Sequence, residues 1–144
     1  MTRVLRYGAL LLVAVVLAIQ LVPYGRDHSN PPVVEDAPWA DASVRELAVA
    51  ACYDCHSHET EWPVYSWVAP MSWLVTRDVE SGREELNFST WPNAGEIRDA
   101  AEVVVDGSMP PRRYRLAHPD ARLTADERQR LIDALIALGA EPDD

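Results

Sequence analysis

The chain has 144 residues, with 23 acidic against 13 basic side chains and a formal net charge of −10. That length leaves room for one small domain, and the acidity disfavours a surface that grips nucleic acid, so no nucleic-acid partner is expected. Two cysteines are too few for the separated Cys pairs of an ordinary structural zinc site.

Arg3 and Arg6 precede an apolar run from Gly8 to Val22 that only Gln20 interrupts, which reads as an export signal. Val4, Leu5, Tyr7, Pro23 and Tyr24 extend the run towards the ~20 residues that span a bilayer, and Arg6 can snorkel to the headgroups. A cleavage site at Val16-Leu17-Ala18 would cut inside the run, so the expectation is an uncleaved signal anchor over residues 1–24. It would be a single transmembrane helix in the inner membrane, with everything after it on the periplasmic side because the arginines precede it. Residues 25–40, with Pro31, Pro32 and Pro38 among polar side chains, read as an extended linker, and residues 41–140 as the exported domain. Beyond residue 24 the chain holds all 23 acids and 11 of the arginines, a net charge of −12, which would favour a basic patch on a protein partner or simply keep the domain in solution.

The domain shows helical periodicity and almost no alternating strand pattern, so the class is all-α. Ser43-Val44-Arg45-Glu46 has the form of a capping box, and Val44, Leu47, Ala48 and Ala51 follow at helical spacing into Cys52. Pro70 suits the start of a helix from Met71 to about Glu85. Asn93-Ala94-Gly95-Glu96 can open a helix whose Ile97, Ala100, Ala101 and Val104 face inward and which Gly107 ends. Thr124-Ala125-Asp126-Glu127 is a second capping box, leading a last helix with Leu131, Ile132, Leu135 and Leu138 on one face and Gly139 as its stop.

Cys52-Tyr53-Asp54-Cys55-His56 is the attachment pattern of c-type haem. Two thiols three residues apart on one helical turn can each add across a haem vinyl group, and the histidine that follows lands beneath the iron. Cys52 and Cys55 are therefore expected to hold one haem c covalently, with His56 as an axial ligand. The same residues could instead make a redox dithiol, a disulfide, or a zinc site shared with His58. For the second axial position the candidates are Met71, Met109, His58 and His118. His58 is too close to His56 to reach the other haem face, and Met71 leaves a short path around the porphyrin. His118, before Pro119 and the last helix, reads as a loop or capping histidine. Met109 sits in Gly107-Ser108-Met109-Pro110-Pro111, where a glycine stops one helix and two prolines stiffen the loop that would present its thioether. It is the favoured ligand, against a gap-filling core methionine or an open site. Trp62, Trp67, Trp73 and Trp91, between the two ligand segments, could wall the porphyrin or serve as ordinary core.

The matching segments are Cys52 to Ser57, Trp62 to Ser66, Ala69-Pro70 with Ser72-Trp73-Leu74, Asp78-Val79 with Gly82-Arg83, Leu86-Asn87-Phe88-Ser89 with Trp91, Met109-Pro110-Pro111, and His118-Pro119 with Ala121-Arg122-Leu123. On these the chain resembles the bacterial haem-binding domain family of small membrane-anchored mono-haem proteins, over residues 43–138. The order of its elements is also similar to that of a class I cytochrome c. The resemblance implies haem binding through the Cys pair and His56, in a small helical domain around one haem, and supplies no electron partner. Arg112-Arg113 stands where the pattern leads one to expect an aromatic residue.

A His/Met iron is closed to substrate, and both oxidation states keep the same ligands, which suits electron transfer. The carboxylates are scattered and no Ser/His/Asp arrangement stands out, so the chain is not expected to be an enzyme. The expectation is a membrane-tethered, extracytoplasmic electron carrier serving a redox partner protein. The alternatives are a haem sensor or ligand-binding module with a labile or open distal site, and a small dithiol or peroxidatic enzyme.

Overall fold

The computed structural model describes residues 2–92 and 95–140. Its helices are α1 (Thr2–Ile19), α2 (Ala42–Ala48), α3 (Asp54–His56), α4 (Met71–Glu85), α5 (Ile97–Val105), α6 (Arg112–Ala117) and α7 (Ala125–Gly139). A π-helical turn occupies Val49–Tyr53, and 3₁₀ turns occupy Val64–Trp67 and Pro119–Ala121. Among the described residues there is no strand, only isolated bridges pairing Glu35 with Thr90 and Leu86 with Gly95, so the all-α expectation holds. The chain divides into two compact units, Met1–Ser29 with Trp62–Asp78 and Asn30–Glu61 with Val79–Asp144.

In the first unit the apolar N-terminal run stops short of its expected length. Helix α1 ends at Ile19, and the Gln20 amide is taken up by the main chain of Ala69: its Nε2 donates to the Ala69 carbonyl (3.0 Å) and its Oε1 accepts from the Ala69 N–H (3.0 Å). Leu21 to Tyr24 therefore lie outside the helix. Arg3 and Arg6 occupy its first turns, and the apolar part from Gly8 to Ile19 rises roughly 18 Å, against a hydrocarbon core of about 30 Å. No helix among the described residues is long and apolar enough to cross a membrane. This overturns the signal anchor over residues 1–24, and with it the single-pass inner-membrane placement and the periplasmic side assigned to the rest. Further along, Gly25 takes φ +76°, and a Cβ there would lie 2.7 Å from the Ser72 carbonyl oxygen, so glycine answers both a left-handed backbone and a close approach. His28 then stacks on Trp62 (4.6 Å between centroids, 29°) and meets Trp67 edge-on (4.2 Å, 87°).

In the second unit the proline-rich segment, read from composition as a linker, pairs its backbone with residues 88–91. The Val34 and Glu35 N–H groups donate to the Ser89 carbonyl (3.0 and 3.2 Å), Ala37 N–H to the Phe88 carbonyl (3.0 Å), and Trp91 N–H back to the Glu35 carbonyl (3.1 Å). The helix that follows is capped by Asp41, with Ser43 inside the first turn, which corrects the capping box read at Ser43. The Asp41 carboxylate accepts from Val44 N–H (3.0 Å) and from the Ser43 hydroxyl (2.6 Å).

The regular α-helix expected to run into Cys52 gives way to the π turn after Ala48. In an unbroken α-helix Tyr53, five residues on, would sit roughly 140° around from Ala48, on the far face. The wider turn brings Tyr53 round to the core, where it is 1 % exposed and stacks on Phe88 (5.4 Å, 13°). Its hydroxyl donates to Asp36 Oδ1 (2.6 Å) and accepts from Trp39 Nε1 (2.7 Å).

Helices α5 and α7 pack on each other and α7 on α2, through Ala48, Ala51, Ala100, Ala101 and Val104 against Leu131, Ile132 and Leu135. The alanines let the helices approach closely, and Leu131 and Leu135 are almost fully buried, so truncating either to Ala costs about 2–5 kcal/mol. Thr124 and Glu127 form the expected capping box: the Glu127 N–H donates to the Thr124 hydroxyl oxygen and the Thr124 N–H donates to the Glu127 carboxylate. Gly107 ends α5 in the left-handed region (φ +81°). Gly139 does not act as a left-handed stop. It is the last residue of α7, and a Cβ there would sit 3.4 Å from Arg98 Cα, so its smallness serves the α5–α7 contact. Asn93 and Ala94, in the expected start of α5, lie outside the described residues.

The two caps give a graded expectation for chemical denaturation. Asp41→Ala and Thr124→Ala each lower stability by about 1 kcal/mol, while Ser43→Ala, which leaves the N-cap in place, costs only a few tenths.

Candidate functional site

Helix α3 delivers His56 at its last residue, and Ser57 then turns the chain to extended backbone (φ −150°, ψ 177°). The segment Leu86–Ser89 meets this turn residue by residue. His56 Nδ1 lies 3.0 Å from the Leu86 carbonyl, Phe88 N–H donates to the His56 carbonyl (2.8 Å), and His58 N–H donates to the Ser89 hydroxyl oxygen (2.9 Å). A carbonyl only accepts, so Nδ1 carries the ring proton and Nε2 presents its lone pair, the arrangement of a metal-ligating imidazole. Burial, opposed by hydrogen bonds to the Leu86 and Gly82 carbonyls, lowers the His56 pKa below the ordinary histidine value and favours the neutral ring.

His58 has no nitrogen to spare. Its Nδ1 lies 2.8 Å from the Pro32 carbonyl and its Nε2 2.8 Å from Asn87 Nδ2. The first fixes the proton on Nδ1, and the Asn87 amide then donates to Nε2. His58 is a brace for the turn, with both ring nitrogens engaged.

Cys52 and Cys55 are half-buried and are not joined in a disulfide. Burial, and then the proximity of Cys55, pushes the Cys52 thiol up to about 12, so near neutral pH it is a thiol and a poor nucleophile for disulfide exchange. That weighs against the redox-dithiol reading. No group of three His, Cys, Asp or Glu side chains suited to a metal occurs among the described residues, so the zinc reading lacks its ligands. Helix α4 runs directly against the Cys pair: a Cβ on Gly82 would lie 2.4 Å from the Cys55 carbonyl oxygen. One residue on, Arg83 donates from Nε to the Ser57 carbonyl (2.7 Å) and from Nη2 to Thr60 Oγ1 (2.9 Å) and Asn30 Oδ1 (2.8 Å), tying three stretches of the second unit together.

Met109 lies on a separate wall. Its N–H donates to the Val103 carbonyl (2.9 Å), and the residue is 38 % exposed on a cavity of about 850 Å³. Val104, Leu116, Ala121 and Leu123 give that cavity apolar sides, while Cys52, Cys55 and His56 are not among its lining residues. The two halves are nonetheless joined. Tyr114 in α6 donates to Asp54 Oδ2 (2.7 Å), the carboxylate between the two cysteines, and the Pro119–Ala121 turn packs on the π turn that carries Cys52. His118 stacks on Tyr114 (4.0 Å, 10°) with Nδ1 3.8 Å from the same Asp54 oxygen, so it belongs to this joint. Met71 is exposed in the first unit. Of the tryptophans, Trp62 and Trp67 enclose His28, Trp73 has a buried indole N–H without a partner, and Trp91 packs on the core.

Sequence reasoning missed Gly82, Arg83, Leu86 and Asn87 as the scaffold of His56. They stood in the Gly-Arg and Leu-Asn-Phe-Ser segments, but two of them act through the backbone, which leaves no side-chain signature. It also passed over His28, whose ring nitrogens are both buried and unpartnered.

A histidine with its tautomer set and Nε2 directed away from its brace, directly after a Cys-x-x-Cys pair that forms no disulfide, fits a haem group held from one side. The fold and site thus define a small helical domain built around a Cys-x-x-Cys-His turn. Residues 14–136 match the haem-binding domain family, and the chain belongs to that family. No curated protein and no solved structure matches the chain. The wider likeness to class I cytochromes c rests on the order of elements alone.

Because Gly82 touches the Cys55 main chain, Gly82→Ala must displace α4 or the Cys turn. The haem content of purified protein, measured by pyridine haemochrome absorbance, should fall at least about tenfold. Gly8→Ala, where a Cβ meets nothing within 4 Å, should leave it unchanged.

Proposed function

We propose that the chain binds haem as a c-type group and works as a mono-haem electron carrier for a redox partner protein, and that it is not an enzyme. The observation that carries this is the His56 Nδ1–H bond to the Leu86 carbonyl, which leaves the Nε2 lone pair as the atom that would hold a haem iron. Cys52 and Cys55 would each add S–H across a vinyl double bond, sulfur to one carbon and hydrogen to the other, with no net oxidation. Met109 would supply the second axial atom from its proline-stiffened loop. When bound, the haem supplies reversible one-electron exchange at iron. The residues around it contribute burial, a fixed imidazole, and a thioether that raises the reduction potential relative to a second histidine.

The 38 % exposure of Met109 favours a second reading, a ligand-binding or sensing module in which the thioether leaves readily. Denaturation followed by acid-acetone extraction separates covalent from free haem, and colour remaining on the protein is the expected outcome. Loss of all colour would sink the covalent assignment. Met109→Ala should remove the weak thioether-to-iron band near the red end of the oxidised spectrum and lower the reduction potential. Carbon monoxide should bind the reduced variant at least about tenfold faster than the unmodified chain. Equal, rapid binding by both would favour the sensor.

A further inference from the structure

The surface around Met109 carries charge opposite to that of the chain as a whole. Arg112, Arg115, Arg122 and Arg128 line its cavity against one carboxylate, Asp106, in a chain whose formal charge is −10. Arg122 Nε donates to the Arg115 carbonyl (2.7 Å) and Arg128 Nη2 to the Val105 carbonyl (2.6 Å), which positions both guanidinium groups, and Arg128 is the cation that faces Asp106. Neither Arg112 nor Arg115 is ion-paired among the described residues. Leu116, also on the cavity, is 68 % exposed. An exposed apolar residue ringed by arginine has the anatomy of a docking face.

We propose that this face receives an acidic protein partner for electron exchange. The proposal rests on the reading that Met109 would help hold the haem, which would bring the redox group close to this face. Each encounter moves one electron between the reduced centre of one protein and the oxidised centre of the other, and no atom is transferred. Net charge alone argues the reverse, since a strongly acidic chain repels an acidic partner. Screening decides between them: at about 0.15 M salt the Debye length is about 8 Å, so at contact the partner feels the nearest arginines more than distant carboxylates.

The test is stopped-flow oxidation of the reduced, haem-loaded full chain by ferricyanide, an anion standing in for an acidic surface. As salt rises from roughly 0.05 M to roughly 0.5 M, the rate should fall about threefold or more. Arg112→Gln or Arg115→Gln should flatten that slope. Arg98→Gln should keep it, because Arg98 meets Gly139 at the opposite end of the α5–α7 pair from Arg128 and Val105. A rate that rises with salt in the unmodified chain overturns the proposal, and so does an unaltered slope in both cavity variants. Failure to exchange electrons at any salt overturns the electron-carrier reading and this inference with it, whereas exchange with the wrong salt dependence overturns this inference alone.

Discussion

The hydrogen bond from His56 Nδ1 to the Leu86 carbonyl is the constraint on which the rest of the site depends. It meets two needs with one contact. Helix α4 ends at Glu85, so the carbonyls at its end have no partner within the helix, and they carry the negative end of its dipole. An imidazole N–H is a natural partner for one of them, and the same bond sets the tautomer and steadies the ring plane of His56. Leu86 is itself held, its N–H donating to the Gly82 carbonyl (2.9 Å). The orientation of one side chain is thereby inherited from the backbone of a long helix, which is stiffer than any loop.

Bringing that helix end to the Cys turn requires small residues. Gly82 lets the α4 backbone touch the Cys55 backbone, while the alanines of α2, the π turn and α5 let the helices of the second unit close on one another. The π turn solves the remaining geometrical problem. It rotates Tyr53 into the core, where the Asp36, Trp39 and Phe88 contacts fix it, and leaves Cys52 and Cys55 half-buried on the same short stretch. Local widening of a helix beside a functional residue is a recurrent use of π geometry.

Much of this was legible in the amino-acid sequence where side chains carry the signal. The bounds of α4, the Thr124 capping box, the inward face of α7 and the Gly107 stop all follow from periodicity and capping chemistry. The Cys-x-x-Cys-His run pointed to the family that the wider match supports. What escaped was work done by the main chain or by competition between neighbours. Leu86 acts through its carbonyl. Asp41 outbids Ser43 as a cap because its carboxylate reaches both Val44 N–H and the Ser43 hydroxyl. Gln20 ends α1 by binding the main chain of Ala69, a residue 49 positions away, which no local hydropathy pattern contains. The proline-rich segment reads as a spacer by composition, yet it pairs its backbone with Ser89 and Phe88, and only tertiary structure supplies those partners.

The bond between Tyr114 and Asp54 links the segment after Met109 to the middle of the Cys-x-x-Cys-His turn without involving any metal. Four residues lie between Met109 and Tyr114, so a thioether that let go of an iron would remain on a short leash. Its return would then be a unimolecular event at high effective concentration, governed by loop motion rather than by refolding. If Met109 holds iron as proposed, a site tethered in this way would open briefly and close again while the α5–α7 core stays intact.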